Sequence, residues 1–179
     1  TKQLDPSRPV NTVSGGIQIL TDIWTEHHYE QDPARLKDII YDGGKMFVRG
    51  PSIQERHRGN VGFNRPVLSD PFTFPRYDGS IPYILDEFGG IKCMEANPAE
   101  GDAWGYGDAA KTKEDFYKRL ESQVKAITDH SDKICGFCYT QLTDVEQEQN
   151  GVYYFNREKK YDMERVKAIF QMALPEENK

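Results

Sequence analysis

With 179 residues the chain is the length of one ordinary domain and can bury a core, yet it falls short of the ~250 residues typical of a closed (β/α)₈ barrel. Its 29 acidic residues outnumber 23 Lys and Arg, and a net charge of -6 without a basic block argues against a nucleic-acid partner. No apolar run approaches the ~18 residues of a membrane span, and three cysteines cannot close a disulfide framework.

Thr1–Asp5 shows no apolar leader; any leader would precede Thr1, so localisation stays open. Pro6 and Pro9 then favour an extended lead into a first strand at Val10–Val13. Gly15-Gly16 breaks it, and Ile17–Trp24 reads as a second strand. Asp32-Pro33 is a helix-start signal, and Leu36, Ile39 and Ile40 predict a short amphipathic helix over Pro33–Tyr41. Gly43–Ser80 lacks periodicity and reads as an excursion over a surface. Ile81–Asp86 predicts a buried strand, ended by Glu87-Phe88-Gly89-Gly90. A loop over Ile91–Lys111 carries Trp104-Gly105-Tyr106-Gly107. Thr112–Asp115 is a capping-box-like start, and Phe116, Leu120, Val124 and Ile127 carry a helix to about Asp129. Ile134–Leu142 is a continuous strand run, Asn150-Gly151 predicts a hairpin turn, and Asp162 caps a last helix bearing Met163, Val166, Ile169 and Phe170. Strands alternating with helices predict an α/β unit with about four parallel strands.

In such folds function sits at the carboxyl ends of strands. Those ends carry Ser14, then Thr25–Tyr29, then Glu87-Phe88-Gly89-Gly90, then Thr143–Glu146. Glu87 is the sharpest candidate, a carboxylate at the lip of an apolar strand. Neighbours on a regular strand face opposite ways, so only one of Asp86 and Glu87 is expected to aim into a site. A solvated strand-end acid is the plainer alternative.

Tyr83–Gly90 resembles the nucleophile motif of family 2 glycoside hydrolases, the β-galactosidase and β-glucuronidase group. Three further stretches agree in order: Leu4–Val10, Thr21–Trp24 through His27-His28-Tyr29, and Gly136–Glu146 with Asn150-Gly151 and Asn156-Arg157 behind it. Each is short; their order and spacing over about residues 4–172 make the resemblance specific. It implies a partial (β/α)₈ TIM barrel, approximately strands five to eight with their helices, over residues 1–174, followed by a polar tail at 175–179.

The resemblance also implies that Glu87 is the nucleophile of a retaining exo-β-glycosidase acting on a β-linked oligosaccharide or glycoside, with Tyr29 hydrogen-bonding it. His28, Trp104, Gln141, Asp144 and Glu146 would contact substrate, Trp104 as a sugar platform. A retaining glycosidase needs a second carboxyl group about 5–5.5 Å from the first. In the family that acid/base follows an Asn, and no Asn-Glu dipeptide occurs here. The partner half of the barrel is therefore expected to lie outside this chain, which alone should be inactive or nearly so. Asn150-Gly151-Val152 stands where glucuronidases carry Asn-x-Lys, which points away from a uronic acid. No metal or cofactor is specified, although some members use magnesium or sodium. Half a barrel leaves two raw sheet edges, so pairing with a second copy or another segment is expected.

Competing signals are weaker. Cys135-Gly136-Phe137-Cys138 has redox spacing but falls inside a strand, and core packing is the expectation. His27-His28 lacks further ligands at zinc-like spacing. The run Arg157–Lys160 reads as a solvated approach to the last helix. A non-catalytic carbohydrate-binding or interaction module, and an unrelated open α/β enzyme, remain as alternatives.

Overall fold

The computed structural model describes residues 1–15, 18, 20–41, 77–97 and 102–172. Three strands, β1 (Trp24–His28), β2 (Tyr83–Gly89) and β3 (Ile134–Thr140), alternate with three helices, α1 (Pro33–Tyr41), α2 (Lys113–Thr128) and α3 (Met163–Gln171). The strands pair parallel in the order β1-β2-β3. Helix α2 packs against both α1 and α3, and the three helices share one core with the sheet.

The helices form where the apolar spacing predicts. Asp32 Oδ1 caps α1 by accepting from the backbone N–H of Ala34 (2.8 Å). Thr112 and Asp115 form a reciprocal capping box at α2. Asp162 caps α3. Leu36 and Ile40, then Phe116, Leu120, Val124 and Ile127, then Val166 and Ile169 meet Tyr83, Leu85 and Phe88 in one apolar core. Arg165 binds Glu114 through both guanidinium nitrogens at 2.6 and 2.8 Å, tying α3 to α2.

Several sequence expectations are corrected. Residues 10–13 form no strand. The Val10 N–H donates to Asp22 Oδ2 (2.7 Å) and its carbonyl accepts from the Asp22 N–H (2.8 Å), so its backbone is spent on a local bracket. The Ile17–Trp24 strand begins only at its last residue; residues 16, 17 and 19 lie outside the described ones. Thr25–His28 therefore lie within β1 rather than after it. The described sheet has three strands, not four. Most of Gly43–Ser80 (residues 43–76) and the tail 175–179 also lie outside the described residues. Asn150-Gly151 makes no hairpin: Val152 and Tyr153 run beside residues 141–144 in a parallel bridge, and the Gly151 N–H donates to Asp144 Oδ1 (3.0 Å). Cys135 and Cys138 are exposed, not core residues; β3 carries an irregularity at Cys135, which breaks the alternation.

Glu26 is a buried acid on the helix-covered face. Trp24 Nε1–H and Tyr83 Oη–H donate to its two oxygens at 2.8 and 2.9 Å. Burial pushes its carboxyl above the ordinary value of 4.5, the two hydrogen bonds opposing and the Asp86 charge reinforcing. The native state then holds a proton that the unfolded chain releases between 4.5 and the raised value. Stability from this group is fully present below 4.5 and is lost as pH rises through the native value. Glu26→Gln is neutral throughout, so its urea midpoint should gain on the wild type as pH rises from 4 to 7. An unchanged difference would show that Glu26 ionises normally.

Candidate active site

The site is assembled at the carboxyl end of β2. Gly89 and Gly90 follow Glu87 with φ of +91° and +62°, a region costly for side-chain-bearing residues. A Cβ on Gly90 would also fall 2.3 Å from the Tyr106 ring. The glycine lets Tyr106 stack on Tyr29, ring centroids 3.5 Å apart and planes 6° apart. The Tyr106 N–H donates to the Gly90 carbonyl (2.9 Å), which holds that loop on the strand end.

Tyr29 Oη–H donates a hydrogen bond to Glu87 Oε2. Burial first, and then this bond, push the Tyr29 phenol far above the ordinary range. Tyr29 therefore keeps its proton and remains a donor. His27 Nδ1 lies 3.1 Å from the same Oε2 atom. On its other side, His27 Nε2 is 2.9 Å from Ser14 Oγ and 3.5 Å from Asp86 Oδ1, and Ser14 Oγ donates to Asp86 Oδ2 (2.6 Å).

Both carboxylates thus reach one imidazole, against the expectation that only one could face the site. The cause is a β-bulge. Glu26 pairs with Leu85 and His27 with Glu87, so Asp86 is an extra residue that breaks the alternation.

The other candidates divide. Trp104, 41% exposed, packs edge-on against Tyr106 with centroids 5.6 Å apart, at the rim above Tyr29. Its N–H donates to the Gln147 carbonyl (2.8 Å) and its carbonyl accepts from Gln149, so the loops after β2 and β3 hold it jointly. His28 Nδ1 accepts the Glu30 N–H (3.1 Å), spending that nitrogen on the turn toward α1. Gln141 Nε2 donates to the Glu148 carbonyl (3.2 Å) and braces the loop after β3. Glu146 stands exposed with φ 51° at the tip of the Val145–Glu148 turn, outside the Tyr29–Glu87 contacts.

Asp144 points inward. Lys160 Nζ donates to its Oδ1 at 2.7 Å, and the Lys160 side chain has no exposed surface. This corrects the reading of Arg157–Lys160 as wholly solvated: Arg157, Glu158 and Lys159 are exposed, while Lys160 is buried by the pairing.

Sequence reasoning did not assign Ser14, His27, Asp86 or Tyr106 to the site. The Trp-Gly-Tyr-Gly run was a usable signal for Tyr106; the bulge that recruits Asp86 left no such mark. Among the described residues, no group of three His, Cys, Asp or Glu is placed to hold a metal ion, and no helix is long and apolar enough to cross a membrane. The chain matches no family model and no curated protein.

Proposed function

We propose that this chain supplies the nucleophile-bearing half of a retaining exo-β-glycosidase barrel, most like a β-galactosidase. One observation carries the reading: Glu87 projects from the carboxyl end of a parallel strand, one oxygen bound by Tyr29 and 3.1 Å from His27 Nδ1, beside the stacked Tyr29 and Tyr106 with Trp104 edge-on to them. Sequential parallel strands with helices on one face support a barrel segment, because a doubly wound sheet reverses its strand order.

In this reading a Glu87 oxygen attacks the anomeric carbon. The glycosidic C–O bond breaks, and its electron pair leaves with the aglycone oxygen. A general acid protonates that oxygen, then as base takes a proton from the water that releases the sugar. General acid–base assistance is worth about 10²–10⁴-fold. The partner carboxyl would come from a segment beyond this chain. An exposed indole suits an apolar sugar face.

The chemistry of a missing acid/base supplies the test. A dinitrophenyl β-galactoside has a leaving group that needs no protonation, and azide needs no base. The 179-residue chain should release dinitrophenolate from that substrate, accelerate with azide, and form the β-configured galactosyl azide. Unactivated alkyl galactosides should stay intact. Sugar binding without any release, with or without azide, would replace the catalytic reading with that of a carbohydrate-binding module.

A further inference from the structure

Ser14, His27 and Glu87 have the outline of a nucleophile–base–acid triad. The proton directions oppose that role. Ser14 has a single hydroxyl proton and gives it to Asp86 Oδ2. Toward His27 it can only accept, so Nε2 donates. On the opposite side of the ring, Glu87 Oε2 lies 3.1 Å from Nδ1. The imidazole lies between two carboxylates, and Ser14, whose proton goes to Asp86, has no base to activate it.

The ring is held from three sides. β1 carries it, the bulge brings both acids of β2 to it, and the 10–15 segment closes over it. That segment is fixed at Thr25, whose Oγ1 receives Asn11 Nδ2 (3.1 Å) and the Gly15 N–H (3.1 Å). A Cβ at Gly15 would fall 2.1 Å from His27 Cδ2, so only glycine lets the backbone lie on the imidazole.

We propose that His27 is a positioning residue for Glu87: the Asp86–Ser14–His27 hydrogen bonds hold the imidazole with Nδ1 3.1 Å from Oε2, which restrains that oxygen and leaves Oε1 as the attacking one. This rests on the reading of Glu87 as nucleophile. His27 and Tyr29 converge on the same oxygen, which constrains rotation of the carboxylate.

The test is covalent labelling of the 179-residue chain by 2,4-dinitrophenyl 2-deoxy-2-fluoro-β-galactoside, whose adduct is slow to hydrolyse. Misplacing a reacting group by about 1 Å can cost on the order of 10²-fold, so the maximal labelling rate of His27→Ala should fall by roughly that factor at unchanged probe affinity. His27→Asn places an amide nitrogen near Nδ1 and should recover most of the rate. His27→Gln places one near Nε2, serves only Ser14, and should stay as slow as His27→Ala. Wild-type labelling in His27→Ala, or rescue by Gln rather than Asn, overturns the proposal.

A second readout does not depend on turnover. In ¹⁵N-resolved spectra of the imidazole, Glu87→Gln should shift the Nδ1 signal and Ser14→Ala the Nε2 signal. If the wild type takes no label, the glycosidase reading fails, and these spectra still decide the His27 contacts. Signals indifferent to both substitutions would dismantle them.

Discussion

Glu87→Gln should abolish the fluorosugar adduct while leaving the fold intact. Gln keeps the size of the side chain and its carbonyl can still accept from Tyr29, but it has no carboxylate to attack the anomeric carbon. If Glu87 forms the covalent bond as proposed, its removal costs on the order of 10⁴-fold or more. Glu87 lies at the half-exposed end of β2, so its thermal midpoint should move little, by the ~0.5 kcal/mol usual for sites outside the core. Peptide mapping after labelling supplies the decisive measurement. An adduct on Asp86 would transfer the nucleophile to the bulge residue, and an undiminished adduct in Glu87→Gln would remove Glu87 from the chemistry. Asp86→Asn should still take the label on Glu87, at a reduced rate, since it disturbs the Ser14 contact that holds His27.

Breaking the Asp144–Lys160 pair should be the most destabilising polar change among the described residues. Lys160 Nζ sits 2.7 Å from Asp144 Oδ1 and 3.4 Å from the Gln149 carbonyl. Asp144 also receives the Gly151 N–H at 3.0 Å and Asn97 Nδ2 at 3.2 Å. Burial pulls the Lys160 amine below the ordinary lysine range, and Asp144 restores part of that loss. Either Asp144→Ala or Lys160→Met leaves a buried charge without its counter-charge, at a cost of about 3–5 kcal/mol, whereas the double variant should recover much of it. Urea unfolding of the three variants measures this as a double-mutant cycle. The same experiment separates two roles for Asp144. A sugar contact would slow labelling without moving the midpoint. A loop anchor moves the midpoint first, because the pair ties residues 144–151 to Lys160 beneath the rim that carries Trp104.

Local order was legible in the residues themselves. Asp32-Pro33, Thr112–Asp115 and Asp162 are short-range devices, and each starts a helix where it stands, since a cap needs only its own next three residues. The apolar spacing of Phe116, Leu120, Val124 and Ile127 likewise picked the buried face of α2. Glu87 at a strand end, beside Tyr29 once folded, was visible as a motif. Strand limits were less legible. Val10–Val13 has the apolar character of a strand, but Asp22 takes the backbone groups that a neighbour would have used.

What only the tertiary structure decided is which polar groups share a space. The bulge after Leu85 puts Asp86 and Glu87 on one imidazole, although strict alternation separates them. Ser14 and Asp86 are 72 positions apart and meet through a 2.6 Å hydrogen bond. Lys160 stands in a charged run, yet it is buried because Asp144, sixteen residues earlier, meets it in the interior. Sequence pattern reports periodicity and caps, which depend on neighbours a few residues away. Register irregularities and buried ion pairs depend on contacts between distant segments, and those exist only once the sheet and its loops have closed.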